Sequence, residues 1–485
     1  MTTRTYGLSG SGMDVDSMVT NLMKAQRAPL DTLNQKKTLL EWKKSDYSDM
    51  YSKLREFRNK TFDFKLSDSL SPMKVASTTD TVATATATGD AAAVSHTLEV
   101  TALASGASVT SDALGSGTDK TSLATQLGVS GTFNINLNGK TIAVDSSKSI
   151  YEFISAVNKA DAGVKVSYDA TLDRVFINST TSGSAAKIDF SASDATGQDF
   201  LTNKLKLNAG VASALNGTDA NFKLDGVTLT ESSNNFTIAG ISYTLKTKGT
   251  TTVGVSKDID KTVENVKAFI KDYNALLDAA NTAVNAKRYK DYTPLTSDQK
   301  KEMTDDDIKA WETKAKSGML RNDTTLTALA NGIRNDFSDR ISGITSKYNS
   351  AASIGITTGD YTENGKLYLD ENKLKKALQE DPEAVNNIFG SSGDTRATDG
   401  IANRMYDTLK TAMDKIDDTA GVLRGTYDTT SPMAKQLKDY TTRISALTTR
   451  LSDIEDRYYK QFDAMETALN KLNSQSSWLQ QQTGG

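Results

Sequence analysis

The spacing of apolar residues changes period twice along this chain, from helical to alternating near residue 75 and back to helical near residue 257. Near the C-terminus Ile444, Leu447, Leu451, Ile454 and Tyr458 step by 3, 4, 3 and 4, and after one four-residue stutter Phe462, Met465, Leu469 and Leu472 resume the same spacing. An average period of about 3.5 residues lays an apolar seam along one side of a helix, and a stutter shifts that seam without ending it. A helix of about 45 residues is about 65 Å long and cannot bury such a seam alone. It predicts a helical partner, and the other end of the chain offers one. There Val15, Met18, Val19 and Leu22 make an apolar face, with Asp14 or Asp16 available as a cap. Pro29 has no backbone donor and is expected to end or kink this first helix near Ala28. A second helix over residues 30–64 then carries Leu33, Leu40, Tyr47, Met50, Leu54 and Phe57 on heptad positions.

Between these ends the pattern is that of strands. Val82, Thr84, Thr86 and Thr88 alternate up to a Gly89-Asp90 turn, and Val94, His96, Leu98 and Val100 continue the alternation. Residues 104–122 are rich in Gly, Ser and Thr and read as a linker. A compact ββαββ unit follows. Phe133, Ile135 and Leu137 lead through Asn138-Gly139 to Ile142 and Val144; Ser149 and Glu152 predict a capping box for a helix bearing Ile150, Phe153, Ile154 and Val157; Gly163 offers its stop. Val164, Val166 and Tyr168, then Val175, Phe176 and Ile177, complete it. A second hairpin turns at Asp225-Gly226, and Phe236, Ile238, Ile241, Tyr243 and Leu245 extend the β pattern.

From Lys257 onward Ile259, Val263, Val266, Ile270, Tyr273, Leu277, Ala280 and Val284 restore helical spacing without a break. Residues 285–318 look charged and irregular, and a helix is expected near 323–341. A hairpin carries Ile354 and Ile356 on one arm and Leu367 and Leu369 on the other, and helices resume at 373–378, 382–389 and 401–416. The predicted class is therefore multidomain α+β: a helical stalk and terminal coiled coil made by both chain ends, with β-rich head domains inserted between them. The expected division is 1–45 with 436–485 as the terminal coiled-coil region, 46–72 with 257–435 as a helical leg, 73–105 with 218–256 as a β-rich head, and 106–217 as a further insert.

Composition narrows the function. At 485 residues the chain needs several cores, and a hydrophobic content of 37% suits elongated pieces with thin ones. The net charge of −3 implies neither nucleic acid nor an anionic membrane as partner. No apolar run is long enough to span a bilayer, and the N-terminus has no apolar stretch of the kind a Sec signal requires. Cysteine is absent and His96 is the one histidine, which disfavours zinc sites, cysteine nucleophiles and Ser-His-Asp catalysis. Absence of thiols also suits export in an unfolded state. Asp360, Thr362, Asn364 and Glu371 approach the spacing of a calcium loop, but a hairpin turn before a capped helix explains them better. Asp305, Asp306 and Asp307 after Thr304 read as an acidic first helical turn. The glycines from Gly7 to Gly12 follow no strand and precede no Lys-Ser/Thr pair, so they do not make a phosphate loop. The expectation is a non-enzymatic protein with no cofactor and no metal.

Three segments resemble the family of bacterial flagellar filament cap proteins, also called hook-associated protein 2. They are residues 7–30, with Gly7, Gly10, Gly12, Asp14 and Pro29; residues 354–389, with Gly355, Gly365, Asp370, Pro382 and Phe389; and residues 461–479, with Phe462, Met465, Leu472 and Trp478. Residues 133–177 are similar to a small motif of flagellins and hook-associated proteins. The resemblance implies a secreted assembly factor at the filament tip, exported through the flagellar type III apparatus with an export chaperone. It implies a homo-oligomeric, pentamer-like ring beneath which flagellin folds and inserts. Val15, Met18, Leu22, Phe462, Met465, Leu469, Leu472 and Trp478 are then the expected oligomer or filament contacts. Another axial protein, such as a flagellin or a hook–filament junction protein, is the alternative reading, and a surface adhesin is a third.

Overall fold

The computed structural model describes residues 14–209 and 211–483. The glycine-rich run before Met13, expected to be flexible, lies outside them. The protein is mixed α+β, with long helices from both chain ends and β-structure in the middle of the sequence. It divides into two units, one made of Met1–Leu66 with Val263–Gly485 and the other of Ser67–Thr262.

The helical unit is built from five long helices: α1 (Val15–Phe64), α2 (Ile259–Asn285), α3 (Thr324–Ser338), α4 (Ile401–Ala420) and α5 (Pro432–Thr483). Asp14 caps α1 by accepting from Ser17 N at 3.0 Å. Contrary to expectation, α1 runs through Pro29 without a break. Ala25, Ala28 and Pro29 all lie on its exposed face, so water can serve the carbonyl that proline leaves without a donor. Thr32 Oγ1 also donates to Ala28 O at 2.9 Å. Residues on both sides of the proline are held by packing, and that outweighs its local cost.

The centre of the unit is aromatic. Phe64 stacks on Phe269 with centroids 4.3 Å apart and meets Phe389 edge-on at 5.3 Å, while Tyr273 meets Phe337 at 5.1 Å. The segment after α2 is more regular than its charge pattern suggests. It forms helices Ser297–Lys301 and Asp305–Lys316, each capped by a threonine, Thr296 and Thr304. Asp305, Asp306 and Asp307 occupy the first turn of the second of these, where carboxylates favour the helix dipole. Asp360–Glu371 forms the expected turn and cap: Asn364 and Gly365 take positive φ, strands Ile356–Thr358 and Leu367–Leu369 pair, and Asp370 caps the helix Glu371–Glu380.

The β-rich unit holds two hydrophobic cores. Leu98, Val100, Phe222, Tyr243 and Val253 bury the first between two antiparallel sheets. The larger sheet runs Met73–Ser77, Gly249–Lys257, Ser95–Ala102, Ala220–Leu224, Val227–Glu231; the smaller runs Asn235–Ile238, Ile241–Leu245, Ala83–Ala87. The chain leaves at Ser105 and returns at Thr218, which exchange backbone hydrogen bonds of 2.9 and 3.0 Å. The second core gathers Ile135, Val144, Phe153, Val166, Ile177 and Phe200.

Here the ββαββ pattern is realised, including the Ser149–Glu152 capping box. Both hairpin turns, Asn138-Gly139 and Asp225-Gly226, place two residues at positive φ, as two-residue turns require. The helix Ile150–Lys159 closes on Ala160, before the expected stop at Gly163. The stretch 104–122 is not a linker: Ser108–Thr110 joins the sheet beside Arg174–Ser179, and Leu123–Leu127 forms a helix directly after it. Ser and Thr are as compatible with an edge strand as with a loop, so composition is a poor guide there.

Candidate assembly interface at the paired chain ends

The two chain ends lie antiparallel. Val15, Val19 and Met23 of α1 are buried against Leu451 of α5, with Ile454, Tyr458, Tyr459 and Phe462 partly covered around them. This is the predicted seam of α5. The residues of α1 that fill it are less fully the predicted ones. Positions 15, 19 and 23 repeat every four residues and share one narrow stripe. Met18 and Leu22 lie beside that stripe and are exposed, at 40% and 44%. Polar contacts fix the register. Tyr459 Oη donates to Asp16 Oδ1 at 2.9 Å, and Arg27 approaches Glu455 at 3.9 Å. The ion pair is solvated and contributes little; the tyrosine reaches a carboxylate across the seam and sets the helices' axial alignment.

Beyond Phe462 the apolar spacing of α5 continues with less cover. Leu469 is half-buried, whereas Met465, Leu472 and Trp478 are exposed. The eight expected contact residues thus divide. Val15 and Phe462 meet within the chain, and Met18, Leu22, Met465, Leu472 and Trp478 face outward. Val19, Met23 and Leu451 belong to the intramolecular seam and are not among the expected contacts, although their spacing is readable.

His96 Nδ1 lies 2.7 Å from Asp225 Oδ2 on a half-exposed strand, and this bond with that from Thr97 N holds the Asp225 carboxyl below the usual range. Among the described residues no three His, Cys, Asp or Glu side chains gather as metal ligands, and no helix is long and apolar enough to cross a membrane.

Helices from both chain ends pair along an apolar seam, with β-structure between them in the sequence. Family models give the class as a flagellar protein: residues 217–474 match the flagellar hook-associated protein 2 C-terminus and residues 11–107 match its N-terminus. Flagellar hook-associated protein 2 of Halalkalibacterium halodurans is 30% identical over 97% of this chain and 98% of that protein. The Escherichia coli K12 protein of the same name is 30% identical over 98% of this chain and 96% of its own. The crystal structure of the D1-D2-D3 domains of the E. coli flagellar cap protein FliD shares the fold, with a TM-score of 0.54 and 23% identity, covering 82% of this chain and 99% of that one. The chain belongs to the flagellar hook-associated protein 2 family. It is a non-enzymatic flagellar cap protein, extracellular and located at the filament tip.

Proposed function

We propose that the chain forms a homo-oligomeric, pentamer-like ring on the growing filament and promotes insertion and folding of exported flagellin beneath it. Flagellin, the flagellar export apparatus and an export chaperone are its partners in this reading. The observation that carries it is the stripe of apolar residues on α5 beyond Phe462, where Met465, Leu472 and Trp478 stay exposed in the single chain. Large exposed apolar side chains at regular helical spacing are characteristic of a surface that another helix covers. Met18 and Leu22 border the same end of α5 and extend the surface across α1, while Val15, buried in the seam, holds α1 in place beneath it. The reading takes up the fourfold division expected from the pattern. In it the terminal region engages the filament, the leg carries the load, and the two β-rich cores act as head domains.

Complementation of a strain lacking the gene tests this. Leu469→Asp and Leu472→Asp each place a charge on the stripe while leaving both β-rich cores untouched. Each variant is expected to be secreted and folded, yet to restore filaments to below about a tenth of the wild-type length, since an unpaired charge buried in a helical seam costs several kcal/mol. Normal filaments from both variants would sink the proposed role of the stripe.

A further inference from the structure

The loop between α4 and α5 presents two large apolar side chains on a fixed base. Leu423 is 67% exposed and Tyr427 91% exposed. The base is held by Asp428, whose carboxylate is inaccessible to solvent and accepts from Thr430 N and Ser431 N, both at 3.1 Å, with Lys44 of α1 at 3.7 Å. Burial alone would raise the Asp428 carboxyl; hydrogen bonds from Ser431 and Thr430 and the charge of Lys44 hold it well below the usual carboxylate range. Leu423 N donates to Asp417 Oδ1 at 2.7 Å, and Arg424 spans Asp417 and Asp428, 3.5 Å from each. Gly421 has φ +63, and a Cβ there would collide with the Asp428 carboxylate, so the turn admits only glycine. Tyr427 therefore projects from a loop that has already given up its conformational freedom, a state that favours binding.

A matching recess lies on another face of the same helical unit. Phe57 of α1 with Ala275, Leu276 and Ala279 of α2 floor a groove of about 270 Å³. Its rim is polar. Lys60 spans Glu56 and Asp272, 3.1 Å from each, while Lys53 has no ion-pair partner among the described residues. On the loop side Asp418 likewise has none among them. An aromatic ring with a hydroxyl at its end fits an apolar floor under a polar rim, and Asp418 supplies the charge that Lys53 lacks. The two features cannot meet within one chain. Counting about 100° and 1.5 Å per residue, the groove positions of α1 lie roughly 170° around the helix from Lys44 and roughly 19 Å along it.

We propose that the Leu423–Tyr427 knob seats in the Phe57–Ala275 groove of a second copy of the chain, giving neighbours in the ring a head-to-tail contact. Different patches on opposite faces are what a closed ring of more than two copies requires, since a self-complementary patch closes at a dimer. The inference rests on the ring reading above.

The chain has no cysteine, so disulfide trapping in the full-length protein tests it directly. A double variant, Tyr427→Cys with Ala275→Cys, is oxidised mildly, run on a non-reducing gel and examined in parallel by light scattering. Both positions are exposed, and within one copy they lie beyond the roughly 7 Å Cα separation a disulfide tolerates. The expected result is a ladder of dimers and higher species from the double variant and at least tenfold less product from either single variant. Oligomers in light scattering without a ladder would overturn the knob contact and leave the ring reading standing. Equal dimer from Tyr427→Cys alone would overturn it in favour of a symmetric contact. Monomers at every concentration, without cross-links, would overturn both.

Discussion

Replacing Arg404 by alanine is expected to cost the helical unit about 5 kcal/mol, near the upper end for one side chain. Arg404 lies near the start of α4 and is 2% exposed. Its guanidinium donates to Arg396 O at 2.7 Å, Ala397 O at 3.0 Å, and Asp339 O and Arg340 O at 3.1 Å each. These carbonyls belong to the end of α3 and the approach to α4, two segments with no ladder of their own. Alanine leaves the carbonyls of Arg396, Asp339 and Arg340 without this donor, takes one of two donors from Ala397 O, which keeps Ser342 N at 2.8 Å, and opens a cavity. Lysine keeps the charge but not the planar fork, so Arg404→Lys is expected to recover less than half of the loss. Fluorescence reads this cleanly, because Trp42, Trp311 and Trp478 all lie outside the β-rich unit. Urea unfolding followed by tryptophan emission should show an early transition for Arg404→Ala, while β-sheet circular dichroism persists to wild-type concentrations.

The second large effect concerns pH. Asp336 of α3 is fully buried, and burial pushes its carboxyl up to about 6 against the opposing charge of the Arg396 guanidinium, which donates to it. A carboxyl whose folded pKa lies above its unfolded value of about 3.9 binds a proton more readily in the folded state. Its contribution is therefore fully present below about pH 4 and is lost as pH rises to about 6. The gap between the unfolded and folded values corresponds to about 3 kcal/mol. Asp336→Asn removes this titration. Relative to wild type, the asparagine variant is expected to gain about 3 kcal/mol between pH 4 and pH 7, measured by the same fluorescence transition. A constant difference across that range would contradict the assignment.

How far the fold can be read from the sequence depends on how local each signal is. Helical seams are legible because a period of 3 and 4 over many turns has one structural solution: Leu451, Ile454, Tyr458 and Phe462 lie on the face of α5 that meets α1. Hairpins are legible where Asn138-Gly139 and Asp225-Gly226 demand positive φ. Pro29 defeats the expectation of a break because its penalty is local, whereas α1 is held by tertiary packing on either side. Residues 104–122 pass for a linker because edge strands and linkers share small polar residues. At the chain ends, Met18 and Leu22 are readable as apolar, but which stripe turns inward depends on the partner's width. That is set by Leu451, Tyr458 and Phe462, far away in sequence. Arg404 and Asp336 give no signal at all, since nothing in a helical pattern marks a charged residue as buried.

The most direct test of the central claim is deletion of the gene in its native host, with electron microscopy of the cell surface and an assay for flagellin in the medium. The account predicts hooks without filaments and soluble flagellin in the supernatant, because subunits are exported but not inserted. Normal filaments, in a strain with no second copy of the gene, would contradict it.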